Sequence, residues 1–155
     1  MTSAAPGRGQ EAPDFTARNQ HGQSVRLSAL RGAPVVLVFY PWAFSGICTR
    51  ELRLLRDDLA RFEAAEAQVL AVSCDPMFTL RAFADREGLT FDLLSDHWPH
   101  GAIAQSYGVF DPELGVARRG SFVLDADGAV VWRVLNGIGE SRDIAAHLRA
   151  LVPSA

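Results

Sequence analysis

The sequence predicts a single α/β domain: a central mixed sheet flanked by helices and preceded by an N-terminal hairpin. Two apolar runs carry that prediction, Val35-Val36-Leu37-Val38-Phe39-Tyr40 and the Val69-Leu70-Ala71-Val72 centre of the stretch Gln68 to Ser73. A strand that is apolar throughout is covered on both faces, and helices supply the covers. Between the runs, Leu52, Leu55, Leu59 and Phe62 recur at three- and four-residue steps, the period of an amphipathic helix. Size agrees: 155 residues, 48% hydrophobic and 21% charged, suit one globular domain with a proper core.

Taken in order, residues 1–10, rich in Ala, Gly, Ser and Pro, read as a flexible tail, and 11–155 as the domain. Residues 14–18 and 24–27 flank a polar turn around His21-Gly22 and predict a hairpin. The strand at 35–40 follows, then a helix from about 49 to 67 and the second buried strand at 68–73. A helix near 77–87 is closed by Gly88, since glycine alone adopts the left-handed end conformation without a penalty. A short strand at 91–94 and a helical pattern at 98–107 come next. Residues 121–124 and 130–134 flank Asp127-Gly128, a hairpin signal, and Ile144, Leu148 and Leu151 mark a last amphipathic helix. The order β-α-β-α, then a hairpin and a helix, is that of a thioredoxin-like fold with insertions.

Net charge is −3, which argues against nucleic acid or an anionic membrane as partner. All fifteen basic residues are arginine, without a cluster along the sequence. Nothing approaches the roughly 20 apolar residues of a spanning helix, and no signal-peptide pattern opens the chain. Two cysteines 26 positions apart make neither a disulfide framework nor a metal-type spacing, so a reduced, cytoplasmic setting is expected. His97 and His100 are separated by Trp98-Pro99, with no third ligand in register, and no metal or cofactor is expected.

Cys48 is the chemically informative residue. It stands where a buried strand hands over to a helix, at a place where unpaired backbone N–H groups and the macrodipole favour an anion, and so a thiolate. Pro41-Trp42-Ala43-Phe44-Ser45-Gly46-Ile47-Cys48 puts a hydroxyl three residues before the sulfur and a rigid proline seven before it. This resembles the Pro-x-x-x-(Thr/Ser)-x-x-Cys motif of the peroxiredoxins. The resemblance runs from Ala12-Pro13-Asp14-Phe15 to about Leu151. Phe44 to Cys48, Leu94 to Gly101, Tyr107 to Phe110 and Arg119 to Phe122 make it most like the one-cysteine alkyl hydroperoxide reductase E type.

That resemblance implies a thiol-dependent peroxidase acting on hydrogen peroxide, organic hydroperoxides and peroxynitrite. Cys48 would attack the peroxide and become a sulfenic acid. Ser45 would hydrogen-bond sulfur or peroxide, and Pro41 would shield the sulfur. The family's active-site arginine precedes a strand reading (Thr/Ser)-Phe-(Val/Ile)-(Leu/Val/Ile)-Asp, which lands on Arg119; Arg118 is taken as solvent-facing. Glu51 matches a family Cys-x-x-Glu and would orient the arginine. A homodimer is implied, together with an external reductant, either a low-molecular-weight thiol or a protein of mycoredoxin or thioredoxin type.

Tyr40, Trp42, Phe44 and Trp98 are candidates for walls of a substrate pocket or a dimer contact, or for plain core. The five-apart second cysteine of a sibling type is Arg53 here, and the C-terminal resolving cysteine of another is lacking. A thioredoxin-type oxidoreductase is disfavoured, because Glu51 replaces the second cysteine of Cys-x-x-Cys and Arg119-Gly120 stands where a cis-proline belongs. Cys74 ends the strand at 68–73, on the side of the sheet where Cys48 lies. It reads as a small buried hydrophobe or as a resolving partner. A Cys48–Cys74 two-cysteine enzyme and a peroxide-sensing switch therefore stay open as alternatives.

Overall fold

The computed structural model describes residues 4–151; residues 1–3 of the expected tail and 152–155 lie outside the described residues. The hairpin is β1 (Thr16–Arg18) and β2 (Ser24–Arg26). Next come β3 (Val35–Phe39), α1 (Gly46–Asp57), α2 (Leu59–Ala64), β4 (Gln68–Ser73), α3 (Met77–Glu87) and β5 (Asp92–Ser95). The chain continues with α4 (Ala102–Ser106), a ribbon of β6 (Phe110–Asp111) and β7 (Val116–Ala117), β8 (Arg119–Leu124), β9 (Val130–Asn136) and α5 (Ile144–Leu151). The main sheet has seven strands in the order β2-β1-β5-β4-β3-β8-β9. β3, β4 and β5 are parallel neighbours; β8, β9 and the hairpin run antiparallel.

All five residues of β3 are buried, and the pleat deals them alternately to two cores. Val36 and Val38 join Leu52, Leu55, Phe62, Leu80 and Phe83 under the helices α1, α2 and α3. Val35, Leu37 and Phe39 join Tyr107, Phe122 and Leu94 on the other face, where Phe39, Tyr107 and Phe122 pack ring on ring. This double coverage explains why the strands at the centre show no polar alternation.

Four departures from the predicted elements have local causes. Helix α1 starts at Gly46 rather than near 49, because the buried stripe includes Cys48 and Glu51, which do not read as apolar. The stripe runs unbroken through Leu52, Leu55 and Phe62, so periodicity hides the interruption at Asp58 between α1 and α2. Helix α4 is shorter than its pattern: the Asp96 carboxylate accepts the N–H groups of Ile103 at 2.9 Å and Ala104 at 2.8 Å and so fixes the start. Gly101, at φ +71°, turns into it against the Phe110 ring, leaving no room for a Cβ. Finally, within residues 1–10, Gly9 donates to Val130 O at 2.7 Å and Pro6 is buried, laying this stretch along β9. Among the described residues, no helix is long and apolar enough to cross a membrane.

Candidate active site

Parallel pairing of β3 with β4 and antiparallel pairing of β3 with β8 bring three chain segments to one end of the sheet. Val38 pairs with Ser121, so Arg119, two residues earlier on β8, lies past the end of β3 beside the loop that leads into α1. Cys48 is the third residue of α1, in its first turn, and is fully buried. Ser45 holds the N-cap position with its backbone (φ −71°, ψ 152°), yet its side chain makes no capping bond. Its Oγ is buried without a hydrogen-bond partner among the described residues.

Arg119 is 2% exposed and reaches three groups. Its Nη1 donates to Cys48 Sγ at 3.2 Å and to Glu51 Oε1 at 2.6 Å, and its Nε donates to Ile138 O at 2.6 Å. Glu51, one turn after Cys48, is itself 2% exposed. A buried carboxylate is costly unless paired, and Glu51 has a second partner absent from the sequence reading. Arg142 donates from Nη2 to Oε1 at 2.9 Å, from Nε to Oε2 at 2.9 Å and from its backbone N–H to Oε2 at 2.8 Å. Arg142 Nη1 also donates to Phe39 O, Gly120 O and Ser121 Oγ, which ties α1 to the ends of β3 and β8. Burial pushes the Glu51 carboxyl up, but the hydrogen bonds and charge of Arg142, with the charge of Arg119, outweigh it and hold the group below the usual carboxylate range. Two guanidinium groups on one carboxylate leave the buried cluster one positive charge in excess.

The Cys48 loop is anchored from the neighbouring strand. Asp75 Oδ2 accepts the Ala43 N–H at 2.9 Å and the Ser73 hydroxyl at 2.7 Å. Pro41, in the same loop, is buried. Cys74 lies just past β4, at the sheet end expected for it, and no disulfide joins it to Cys48. It is 5% exposed, and burial, then the charges of Asp96 and Asp75, push its thiol up to about 12.

Of the four aromatic candidates, Tyr40 shares the core cluster of Cys48, and the other three line separate grooves. Tyr40 is fully buried in the core beneath α1, and its hydroxyl is held protonated by burial. Trp42 lines a cleft with Pro41, Cys74 and His97. Phe44, at φ +69°, packs on Phe83 on the outer side of α1. Trp98 is 85% exposed and shares a groove with Met77 and Phe78. His97 and His100 turn ring nitrogens to the carbonyls of Cys74 and Gly115.

A seven-stranded sheet of this order, with a cysteine in the first turn after β3 and a buried arginine on its sulfur, defines a peroxiredoxin, a thiol-dependent peroxidase. Residues 8–133 match the AhpC/TSA family, and the chain belongs to it. It is 49% identical over 136 residues to the alkyl hydroperoxide reductase E of Mycobacterium tuberculosis, covering 87% of this chain and 89% of that one. A putative peroxiredoxin of Synechocystis is 34% identical, over 92% of this chain and 76% of its own length. Among solved structures, the peroxidoxin BcpB of M. tuberculosis superposes with a TM-score of 0.83 at 32% identity, covering 94% of this chain and 96% of that one. The AhpC of Enterococcus faecalis superposes at 0.85 with 27% identity, over 93% and 89%.

Proposed function

We propose that Cys48 is the peroxide-reacting thiol of a one-cysteine peroxidase. The observation that carries this reading is Arg119 Nη1, within 3.2 Å of Cys48 Sγ and 2.6 Å of Glu51 Oε1. The Glu51, Arg119 and Arg142 cluster has one uncompensated positive charge, and a thiolate at Cys48 brings the buried sum to zero. The thiolate attacks the terminal peroxide oxygen; a sulfur–oxygen bond forms as the oxygen–oxygen bond breaks. The leaving alkoxide or hydroxide takes a proton from solvent, and Cys48 becomes a sulfenic acid. Arg119 faces the negative charge that develops on the oxygens, an oxyanion-type role. The unpartnered Ser45 Oγ is free to donate to the peroxide, and Pro41, with no N–H, closes the loop side. Glu51 holds Arg119 in place.

Hydrogen peroxide, organic hydroperoxides and peroxynitrite are the substrates of this reading. An external thiol, small or carried by a protein of mycoredoxin or thioredoxin type, restores Cys48. A cycle that returns to a free thiol suits a reducing compartment, here the cytoplasm. Exposed Leu114 shares a cleft with Trp42, exposed Phe78 and Trp98 line the groove beyond Pro76 and His97, and together they support a homodimer formed across that side. The test is one equivalent of hydrogen peroxide added to reduced protein in the presence of dimedone. A single adduct mapped to Cys48 is the expected result. A Cys48–Cys74 disulfide without adduct would replace the one-cysteine scheme with a two-cysteine one.

A further inference from the structure

Ser45 differs from Arg119 and Glu51 in that nothing holds its side chain. Its Oγ is buried and has no hydrogen-bond partner among the described residues, so the place of the hydroxyl is set by the backbone that carries it. That backbone is a turn, residues 41–45, between the end of β3 and the start of α1. Phe44 adopts φ +69° there, in the left-handed region that residues with a Cβ rarely enter, so the turn needs support from outside.

That support comes through one side chain. Inside the turn, the Ser45 N–H reaches Trp42 O only at 3.4 Å. Among the described residues, the single hydrogen bond from residues 41–44 to a group outside the turn is donated by the Ala43 N–H to Asp75 Oδ2 at 2.9 Å. A backbone N–H on a carboxylate makes a charge-assisted bond, stronger than one between neutral groups. Asp75 is itself fixed from two strands. Its Oδ2 also accepts the Ser73 hydroxyl of β4 at 2.7 Å, and its main-chain carbonyl accepts the Ser95 hydroxyl of β5 at 2.6 Å. Ser73 and Ser95 are paired in the sheet register, so the turn is tied to two strands of the sheet at once.

We propose that Asp75 is a positioning residue for peroxide reduction: through the Ala43 N–H it holds the turn in the form that offers the Ser45 hydroxyl to a peroxide at Cys48. The inference rests on the reading of Cys48 and Ser45 above. Asp75 itself bonds to neither residue; it acts through the backbone of Ala43. Without its carboxylate the turn relaxes away from the strained form at Phe44, and the Ser45 donor is displaced. Arg119, held by Glu51 and Ile138, stays on the sulfur. The thiolate is therefore preserved, and only its reaction with peroxide suffers.

The experiment compares two reactions of the Cys48 thiolate in the Asp75→Ala variant. Oxidation by hydrogen peroxide is expected to slow by about tenfold or more, since a misplacement of about 1 Å at a reacting centre costs on the order of 10²-fold. Alkylation of Cys48 by iodoacetamide, followed by mass, uses the same thiolate without a donor from Ser45 and is expected not to slow. Asp75→Asn keeps an acceptor for Ala43 and is expected to retain most of the oxidation rate. The Ser45→Ala/Asp75→Ala variant should be no slower than the slower of the two single variants, because both changes act on one group. Equal slowing of oxidation and alkylation overturns the proposal and gives Asp75 to the thiolate itself. So do unchanged rates, or losses that add in the double variant. If Asp75→Ala does not fold, Asp75→Ser, too short to reach Ala43, takes its place in each comparison. Failure of wild-type protein to form a dimedone adduct at Cys48 would instead overturn the underlying reading, whatever Asp75 does.

Discussion

The two thiols are nearly matched in place and opposite in company. Cys48 and Cys74 follow adjacent parallel strands, β3 and β4, at the same end of the sheet, and both are buried. Cys48 Sγ faces Arg119, which belongs to a cluster with one excess positive charge. Cys74 faces Asp75 and Asp96, and its thiol is pushed up to about 12 by burial and by those acids. Equal burial thus gives two different chemistries, decided by the sign of the nearest charges. At Cys74 burial and the neighbouring carboxylates both disfavour the thiolate; at Cys48 the nearest charged group is a cation.

Removing the sulfur is the strongest way to break this comparison. Cys48→Ser is expected to abolish peroxide consumption in a coupled assay, and Cys74→Ser to leave the first oxidation step intact. Equal losses in both variants would mean that the contrast in surroundings does not govern reactivity. Glu51→Gln comes next in size. It leaves two buried arginines without their carboxylate, and breaking a buried pair in this way costs on the order of 3–5 kcal/mol. Urea unfolding should show that loss, and a midpoint near the wild-type value would contradict the charge count of the cluster. Arg119→Met is smaller in stability and larger in rate. Loss of an oxyanion-type donor is worth on the order of 2.7–4 kcal/mol, so Cys48 oxidation should slow by about 10²-fold or more. The tryptophans give a stopped-flow fluorescence signal for that step. An unchanged rate would move the working cation away from Arg119.

How much of this was legible in the sequence depends on how local each signal is. The buried strands, the Gly88 stop and the Asp127-Gly128 hairpin are written in consecutive residues. Pro41, Ser45 and Cys48 fall within eight consecutive residues, and Arg119 is marked by the strand it opens. Arg142 has no such mark: it sits in an irregular stretch after β9, and its partners Glu51, Phe39 and Gly120 come from three other elements. The one clue was indirect, since a glutamate on the buried face of α1 needs more than one partner. Asp75 was equally silent, because its bond to the Ala43 N–H crosses from β4 to the neighbouring loop. Trp42, Phe44 and Trp98 point into three different grooves, and sequence position alone does not say which way a loop side chain turns.

The smallest effect sharpens the comparison from the far side of the same cluster. His147 is fully buried on α5, 5.0 Å from the Trp132 ring, and burial, then the charge of Arg142, lowers it to about 4 from an ordinary 6.5. The positive excess that favours an anion at Cys48 thus disfavours a cation at His147. The unfolded chain binds the proton first, so this histidine's stabilising contribution is full above pH 6.5 and is lost as pH falls toward 4. Asp96 has the opposite sign: burial raises it to about 6 from 3.8, so its contribution is full below pH 3.8 and is lost as pH rises through about 6. In the wild type the two slopes largely cancel between pH 4 and 6. His147→Phe removes one of them and keeps an aromatic ring beside Trp132. Unfolding free energies at pH 5 and pH 7.5 should then differ between variant and wild type by on the order of 2 kcal/mol, with the variant relatively more stable at pH 5. The same pH dependence in both proteins would show that His147 does not feel the charge cluster, and that the cation excess is confined to the Cys48 side.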